Sequence, residues 1–258
     1  GHDRIFDHMM LDGLEDAYEP GRSMGTFGED CAAKYGFTRA EQDAFATASV
    51  ERAKAATASG AFAAEITPVT VKSRAGETVV SVDEGPGKVK LDKIASRKRA
   101  FKPDGSISAA SGSGSTDGAA ALVMMRASTA TKLGCKPLAR IVGHATHAQE
   151  PEWFATAPLG ATQKALAKAG WAVGDVDLWE INEAFAVVPM ALMKELNLPH
   201  DKVNVNGGAC ALGHPIGASG ARIMVTLIYA LQARGLKKGL ATLCIGGGEA
   251  TAVAVELV

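Results

Sequence analysis

The feature that most constrains the fold is an apolar helix followed by two apolar strands at the end of the chain. Residues Ser219 to Arg234 read as a helix that is apolar on nearly all sides, which predicts a buried layer between two sheets. The strands Lys238 to Gly248 and Ala250 to Val258 meet at a triple glycine, so we expect a close pair with a sharp turn. Shorter segments before them alternate between strand and helix patterns, which predicts βαβ units and a layered α/β architecture. These are Gly118 to Arg126 (strand), Ser128 to Leu133 (helix), Lys136 to His147 (strand), Gly160 to Ala169 (helix), Leu178 to Glu180 (strand), Phe185 to Leu196 (helix) and Val203 to Asn206 (strand).

The first half of the chain is a less regular mixture of helices and strands. A helix is predicted over Thr38 to Gly60, because Thr38 and Glu41 form a capping-box pattern and Gly60 is a typical stop. A Gly-, Pro-, Lys- and Ser-rich stretch runs from residue 83 to 115, and we place a domain boundary at its end, giving a mixed α+β domain 1–115 and an α/β/α domain 116–258. Further elements expected here are helices at Phe6 to Tyr18 and Lys90 to Arg97, and strands at Thr67 to Lys72 and, half-buried, Thr78 to Val82.

Charge and cysteine usage exclude several classes of protein. The 258 residues carry 27 basic and 28 acidic side chains, a net charge of -1, which gives no bulk positive field for nucleic acid or anionic lipid. The longest apolar runs are shorter than the roughly 20 residues of a membrane span, so no membrane partner is expected. Four cysteines without a CxxC pair, and no recognisable signal peptide, favour a reducing compartment and a cytoplasmic location.

Three loop segments follow strand-like segments and carry the candidate functional groups. They are Asn182 to Ala186, Gly207 to Gly217 and Cys244 to Gly248. Loops beyond strand ends converge in open α/β sheets, so these segments can share one pocket that offers an amide, an imidazole and a thiol. A metal site is not expected, because His144 and His147 have no carboxylate or cysteine at ligand spacing. The Ser111 to Gly118 segment lacks a nucleotide-binding motif.

Each of these residues has a structural and a functional interpretation. His214 lies between Gly213 and Pro215 near a helix start, where a neutral imidazole serves as base or donor, or simply holds the turn. Cys244 is a nucleophile or acid/base if its pKa is lowered, and otherwise an inert packing residue, as we read Cys31 and Cys210. Asn182 can hold a water or an oxyanion, or it caps the following helix.

In combination, these segments resemble the thiolase family. The likeness rests on NEAFA at Asn182 to Ala186, NGGACALGHPIGASGAR at Asn206 to Arg222 and CIGGG at Cys244 to Gly248. Upstream, Ser23 to Thr26 resembles the family's loop domain and Ser111 to Ala120 its pantetheine-contacting segment. The resemblance covers essentially the whole chain and is closest to biosynthetic thiolases.

The resemblance implies a function and a set of roles. The reaction is acyl transfer between coenzyme A thioesters, by condensation of two acetyl-CoA or thiolysis of a 3-ketoacyl-CoA, with no cofactor beyond these substrates. His214 would activate the acyl-accepting cysteine and, with a water held by Asn182, form an oxyanion hole; Cys244 would be the acid/base, and the Gly246 N–H would serve a second oxyanion hole. Pantetheine contacts are implied for Ser113, Phe185, Met24 and Phe101, and a homotetramer for the assembly.

The chain also departs from the family pattern. Thiolases carry their acyl-accepting cysteine in a Cys-x-Ser-Gly setting, and none of the four cysteines matches it, so we expect a fragment that begins near the end of the N-terminal half, at the entry to the loop domain. Ser23, Ser111 and Glu249 are smaller departures. The main hypothesis is part of a thiolase that is inactive alone and works with the N-terminal segment. The alternatives are a non-catalytic CoA-binding or interaction domain and a cysteine hydrolase using Cys244, His214 and Asn182.

Overall fold

The computed structural model describes residues 1–258. Six strands and eight helices form its regular part, joined by short 3-10 turns. The helices are α1 Met24–Tyr35, α2 Arg39–Ser59, α3 Gly85–Lys88, α4 Ala127–Leu133, α5 Ala157–Ala169, α6 Val187–Leu196, α7 Ala209–Leu212 and α8 Ile216–Arg234. The strands are β1 Val69–Ser73, β2 Gly76–Val80, β3 Ala139–Ala148, β4 Leu178–Ile181, β5 Lys238–Ile245 and β6 Glu249–Leu257.

A four-stranded sheet in the order β3-β6-β5-β4 organises the second half of the chain. The terminal strands β5 and β6 form the predicted antiparallel hairpin, closed at Ile245 and Glu249. Gly247 and Gly248 in its turn have φ angles of 94° and 93°, which only glycine adopts without strain. On the other side β5 pairs parallel with β4, so the chain from β4 through α8 to β5 is a crossover connection of the predicted βαβ kind.

Helices cover both faces of this sheet, which confirms the α/β/α layering. Successive residues of a strand point to opposite faces, and Leu240 belongs to the core shared with α1, α5 and α6, whereas Ala241 belongs to the core shared with α8. On the α8 side the fully buried Leu227 and Leu231 pack against the sheet. Burying such a side chain contributes about 1.5–3 kcal/mol each.

The surroundings of α8 differ from the expectation of a layer between two sheets. The helix has the length and composition of a membrane span, yet it packs here on β4, β5 and β6. Its other neighbours are Leu122 and the side chain of Glu65, and not a second sheet. The only other sheet, the β1–β2 hairpin, is exposed at every strand position. Within residues 1–258, no second sheet covers α8.

The predicted helix at Thr38 is confirmed as α2. The Thr38 hydroxyl accepts a hydrogen bond from the Glu41 N–H at 3.2 Å, and the Glu41 carboxylate accepts one from the Thr38 N–H at 2.7 Å. Gly60 ends the helix in the left-handed region at φ 75°. One face of α2 packs through Val50 and Ala53 on Ala211, and so the first half of the chain supports the loop that carries His214.

Other predictions for the first half need correction. The Thr78 to Val82 region is not half-buried, because the β1–β2 hairpin has no neighbour on either face. The helix expected over Lys90 to Arg97 is a single 3-10 turn at Leu91–Lys93, and the one over Phe6 to Tyr18 is a π-helical turn at Met9–Leu14.

Two strands predicted in the second half are absent. Gly118 to Arg126 pairs with no other strand, and Val123 is 89% exposed. Val203 to Asn206 makes one isolated bridge, between Val203 and Trp179. The remaining strands and helices of this half are found where expected, within a few residues. The boundary at residue 115 stays a prediction.

Candidate functional site

The three candidate loops converge at one edge of the four-stranded sheet. Asn182 directly follows β4 and Cys244 lies near the end of β5, and these neighbouring strands are parallel. The register continues past the strand, since the Asn182 N–H donates to the Thr242 carbonyl at 3.0 Å. The third loop carries His214, whose own N–H donates to the Gly114 carbonyl at 2.9 Å. The predicted convergence of the loops is therefore seen.

The His214 imidazole is held at both of its nitrogens. Nε2 lies 3.3 Å from the Asn182 amide nitrogen and Nδ1 lies 2.6 Å from the Ser219 hydroxyl oxygen. Ser219 also donates its hydroxyl to the Pro215 carbonyl at 3.1 Å. With that proton used, Nδ1–H is the donor to Ser219 and Nε2 holds the lone pair that accepts from Asn182. The ring is thus set up as a neutral base whose reactive nitrogen is Nε2.

The electrostatic surroundings keep this imidazole neutral. Partial burial lowers the pKa of His214 below its ordinary value, and the nearby Arg222 cation lowers it further. The direction agrees with the expectation of a neutral ring. The sequence argument relied on the start of the following helix, which in the structure begins at Ile216, two residues after His214 and nearer than the expected Ser219.

Asn182 does not cap a helix, in contrast to one of the two interpretations given to it. Helix α6 begins at Val187 and its N-terminal flanking residue is Ala186. Asn182 is 1% exposed, contacts His214 through its nitrogen and leaves its oxygen Oδ1 without a protein partner. An amide so buried and so aimed supports a role in the site.

Glu183 is the buried anchor of the loop that carries His214. Its carboxylate accepts from the Ser49 hydroxyl at 2.7 Å, from the Asn204 amide at 2.7 Å and from the Cys210 N–H at 2.9 Å. A Cβ on Gly208 would lie 2.3 Å from the same carboxyl group, so only glycine lets the backbone come this close. Glu183 therefore joins α2, the segment after β4 and the loop before His214.

The four residues expected to contact pantetheine lie around the same strand edge. Ser113 donates its hydroxyl to the Ala184 carbonyl at 2.9 Å, next to Phe185. The Phe185 ring meets Phe101 edge to face at a centroid distance of 5.8 Å. Met24, at the start of α1, packs on Gly246, where its sulfur would lie 3.1 Å from an added Cβ. Through these contacts the four side chains adjoin the Asn182 to Ala186 loop and the turn after β5, and we call this group the wall.

Cys244 is a buried, protonated thiol in this structure. Desolvation raises its pKa to about 12, and the neighbouring Cys31, whose pKa burial also raises to about 12, adds to the effect. The condition for a reactive thiolate, a lowered pKa, is not met. His214 bonds Asn182 and Ser219 and not the Cys244 sulfur, so no Cys–His dyad is formed. Cys210 is half-buried, and its backbone N–H donates to Glu183.

Sequence reasoning missed Ser219 and Glu183 as members of the site. A serine five residues after a histidine gives no local signal, because its contact depends on how the chain turns into α8. Glu183 was not predicted as a site residue, although its place next to Asn182 was a signal. No group of three or more metal-binding side chains comes together anywhere in the chain.

The fold and the site define a layered α/β protein with a strand-end site made of an amide, an imidazole and a thiol. Family comparisons match residues 1–128 to the model "Thiolase, N-terminal domain" and residues 135–257 to "Thiolase, C-terminal domain". An acetyl-CoA acetyltransferase of Chromobacterium violaceum is 52% identical over 258 residues, covering 99% of this chain and 66% of the relative. One of Paracoccus denitrificans is 49% identical over 257 residues, with coverages of 99% and 66%. The chain belongs to the thiolase family.

Solved structures agree with this assignment. The crystal structure of the Bacillus anthracis acetyl-CoA acetyltransferase superimposes with a TM-score of 0.95 at 44% identity, covering 100% of this chain and 65% of that chain. Human mitochondrial 3-ketoacyl-CoA thiolase gives a TM-score of 0.90 at 34% identity, with coverages of 100% and 65%. The chain thus spans about two thirds of the length of the relatives it matches.

Proposed function

We propose that this chain is the His214- and Cys244-bearing part of a thiolase that transfers acyl groups between coenzyme A thioesters. The reaction is the condensation of two acetyl-CoA or, in reverse, thiolysis of a 3-ketoacyl-CoA. The observation that carries the proposal is the Asn182–His214 contact at 3.3 Å, beside the wall of Phe185, Phe101 and Met24. The names of the relatives support the acetyl-CoA version of the reaction.

In this proposal, His214 and Asn182 act on the acyl-accepting thiol and on the thioester oxygen. The Nε2 lone pair of His214 takes the proton of that thiol, which attacks the 3-keto carbonyl. The carbon–carbon bond between C2 and C3 then breaks, and its electron pair passes to the thioester as an enolate. Asn182 stabilises this negative charge through a water held by its amide. The acyl-accepting thiol is supplied by polypeptide outside residues 1–258.

Cys244 then acts as the proton donor. The enolate carbon takes the thiol proton and leaves as acetyl-CoA. Coenzyme A then gives its thiol proton to the Cys244 sulfur and attacks the acyl-enzyme carbonyl, and the acyl-accepting sulfur leaves and takes back its proton from His214. In the condensation direction the Cys244 sulfur removes the proton from acetyl-CoA. A pKa raised to about 12 suits the donor step, because the thiol still carries its proton at neutral pH. We assign to the Gly246 N–H, in the turn after β5, the role of donor in the second oxyanion hole.

The wall beside the site suits the pantetheine arm of the substrate. The arm combines apolar carbons with amides, and the wall offers the rings of Phe101 and Phe185, the Met24 thioether and the Ser113 hydroxyl. We also propose that the enzyme is cytoplasmic, needs no cofactor beyond its CoA thioesters and assembles as a homotetramer.

A second candidate is a non-catalytic thiolase-like domain that binds coenzyme A or a partner protein. It is favoured by one observation: all four cysteines are accounted for and none is an activated thiol at the site. Cys31, Cys210 and Cys244 have raised pKa values, and Cys135 lies on the exposed turn after α4. A cysteine hydrolase using Cys244 is disfavoured by the same finding.

Complementation separates the two candidates. The chain is mixed with the N-terminal third of the Chromobacterium violaceum relative, and thiolysis of acetoacetyl-CoA is followed with free coenzyme A as co-substrate. We expect activity that is lost in His214→Ala and Cys244→Ala and kept in the control His144→Ala, which lies on β3 away from the site. Coenzyme A binding by calorimetry without any rescued thiolysis overturns the catalytic proposal in favour of the binding domain.

A further inference from the structure

A line of polar side chains runs along the otherwise apolar helix α8, starting at the site. Ser219 contacts His214, Arg222 reaches Glu180, and Thr226 donates to the Glu65 carboxylate at 3.1 Å. Residues separated by three or four positions share one face of a helix, so these three groups point the same way. The face that orients the imidazole therefore continues into a buried group of charges directly behind it.

The opposing strand shows the same order. Glu180 and Asn182 are two residues apart at the end of β4, with Asn182 bonded to His214 and Glu180 facing Arg222. Glu180, on β4, lies two residues before Asn182, and Arg222 lies one helical turn after Ser219 on α8. Both elements therefore lead from the His214 imidazole to the Arg222–Glu180 pair. Arg222 is the nearest positive group that acts on His214 from this side.

The contact between Arg222 and Glu180 is not an ordinary salt bridge. Arg222 Nη1 lies 3.9 Å from Glu180 Oε2, too far for a hydrogen bond, although Glu180 is 2% exposed. Nη1 of the arginine and Oε1 of the glutamate are both buried without any hydrogen-bond partner. An ionised carboxylate buried beside a guanidinium is expected to form short, charge-assisted bonds, and this pair forms none.

The remaining charged groups around the pair explain its state. Glu180 faces Arg222 and, further off, Glu183, Glu65 and Arg234. Desolvation raises the pKa of Glu180 to about 8 although Arg222 lowers it, with a contribution from the two other carboxylates, and desolvation raises that of Glu65 to about 7. The raised pKa favours the protonated form of the carboxyl nearest to the arginine.

We propose that Arg222 is a positioning residue for the His214 site: its guanidinium places a positive charge one helical turn behind the imidazole, and Glu180 stands beside it as a neutral carboxylic acid that does not cancel this charge. The inference rests on the proposed function for its purpose. A base is useful only while its nitrogen is free, and a nearby cation keeps Nε2 free at lower pH. Glu180 fills the space beside the guanidinium without neutralising it.

The test follows the titration of His214 in the whole chain. Histidine-labelled protein is titrated by NMR, and the His214 signal is assigned by its loss in His214→Asn. We expect Arg222→Met to move the midpoint to higher pH, and Arg222→Lys, which keeps the charge, to leave it near that of the parent. An unchanged or lower midpoint in Arg222→Met, with a native amide spectrum, overturns the proposal.

A second variant tests the neutral carboxyl and remains informative if Arg222→Met does not fold. Glu180→Gln replaces a carboxylic acid by a neutral group of the same shape, so the His214 midpoint is expected to stay in place. A fall of the midpoint in Glu180→Gln means that an ionised Glu180 had been cancelling the arginine, and overturns the proposal. The titration needs no substrate, so failed complementation rejects the proposed function and leaves this result standing.

Discussion

Ser219 Oγ lies 2.6 Å from Nδ1 of His214, and this contact fixes which nitrogen of the imidazole carries the proton. Because the Ser219 hydroxyl donates to the Pro215 carbonyl, Nδ1 is the donor and Nε2 is the base, which accepts from the Asn182 amide. In Ser219→Ala the acceptor for Nδ1–H is lost, and we expect ring nitrogen shifts to show a mixture of the two neutral tautomers. In the complemented thiolysis assay, kcat is expected to fall by roughly 10- to 100-fold.

A serine elsewhere provides the control for this change. Ser59 at the end of α2 also donates to a helix carbonyl, that of Ala56 at 3.2 Å, but contacts no histidine. Ser59→Ala is expected to leave both the His214 nitrogen shifts and kcat at parent values. A single Nδ1–H tautomer retained in Ser219→Ala contradicts the assigned role.

Glu183 is expected to be the most sensitive acidic residue for stability. In Glu183→Ala, the Ser49 hydroxyl, the Asn204 amide and the Cys210 N–H all lose a buried charged acceptor. We expect the free energy of unfolding to fall by about 3 kcal/mol or more. Urea denaturation measures this, with the exposed Glu51 on the same supporting helix α2 as control, where Glu51→Ala is expected to change it by less than about 0.5 kcal/mol. Equal midpoints for the two variants reject the anchor role.

Sequence reasoning succeeded where local chemistry decides the structure. The capping box of Thr38 and Glu41 places the start of α2, and Gly247 and Gly248 place the final turn, because both depend on neighbours in sequence. The strand-end rule also brought Asn182 and His214 together without knowledge of any contact.

The failures have a common physical origin in contacts between distant segments. Glu183 bonds Ser49, 134 positions away, and nothing near either residue in sequence predicts that pairing. The Gly118 to Arg126 prediction rested on a continuous apolar run, but a strand exists only with a neighbour to pair with, and the segment pairs with none. The acid Glu180 within an apolar strand was a usable signal that was not interpreted.

The buried acids predict how stability depends on pH. The folded-state pKa values of Glu65 and Glu180 are raised to about 7 and about 8, so the folded chain binds more protons than the unfolded chain between about pH 4.5 and pH 8. Their contribution is fully present below this window and is lost as pH rises through it. We expect the melting temperature to fall across the neutral range, and the fall to become shallower in Glu180→Gln.

His214 acts in the opposite direction and is separable. Its folded-state pKa is lowered, so its contribution is present above the ordinary histidine value and lost as pH falls below it. His214→Asn should therefore reduce the loss of stability on the acidic side and leave the slope between about pH 7 and pH 8 unchanged. Melting curves in a constant-ionic-strength buffer series measure both slopes. If the melting temperature changes with pH in the neutral range equally in the parent and in Glu180→Gln, the pKa of Glu180 is not raised.

The thiols are expected to differ sharply in reactivity. With a pKa of about 12, only on the order of one Cys244 in ten thousand is a thiolate at about pH 8, and the side chain is buried. Iodoacetamide should therefore modify the exposed Cys135 first, with Cys244 the slower by about a hundredfold or more. Peptide mass spectrometry follows each site, and Cys135→Ser removes the fast phase. Rapid labelling of Cys244 in Cys135→Ser supports the hydrolase alternative instead.

The exposed apolar surface predicts self-association of the chain in solution. Val123 and Met124, on the Gly118 to Arg126 segment, are 89% and 70% exposed. Leu138, just before the edge strand β3, and Ile141, within it, are also exposed. Exposed apolar area next to an unpaired strand edge favours association with another chain. Light scattering should give a mass above that of the 26.6 kDa monomer, and Val123→Ser with Met124→Ser should lower it. The double variant Val69→Ser and Val79→Ser on the β1–β2 hairpin is the matched control, because it changes the other exposed apolar surface. If the mass drops only in this hairpin variant, the hairpin is the contact surface. A monodisperse monomer at all concentrations contradicts the prediction for both.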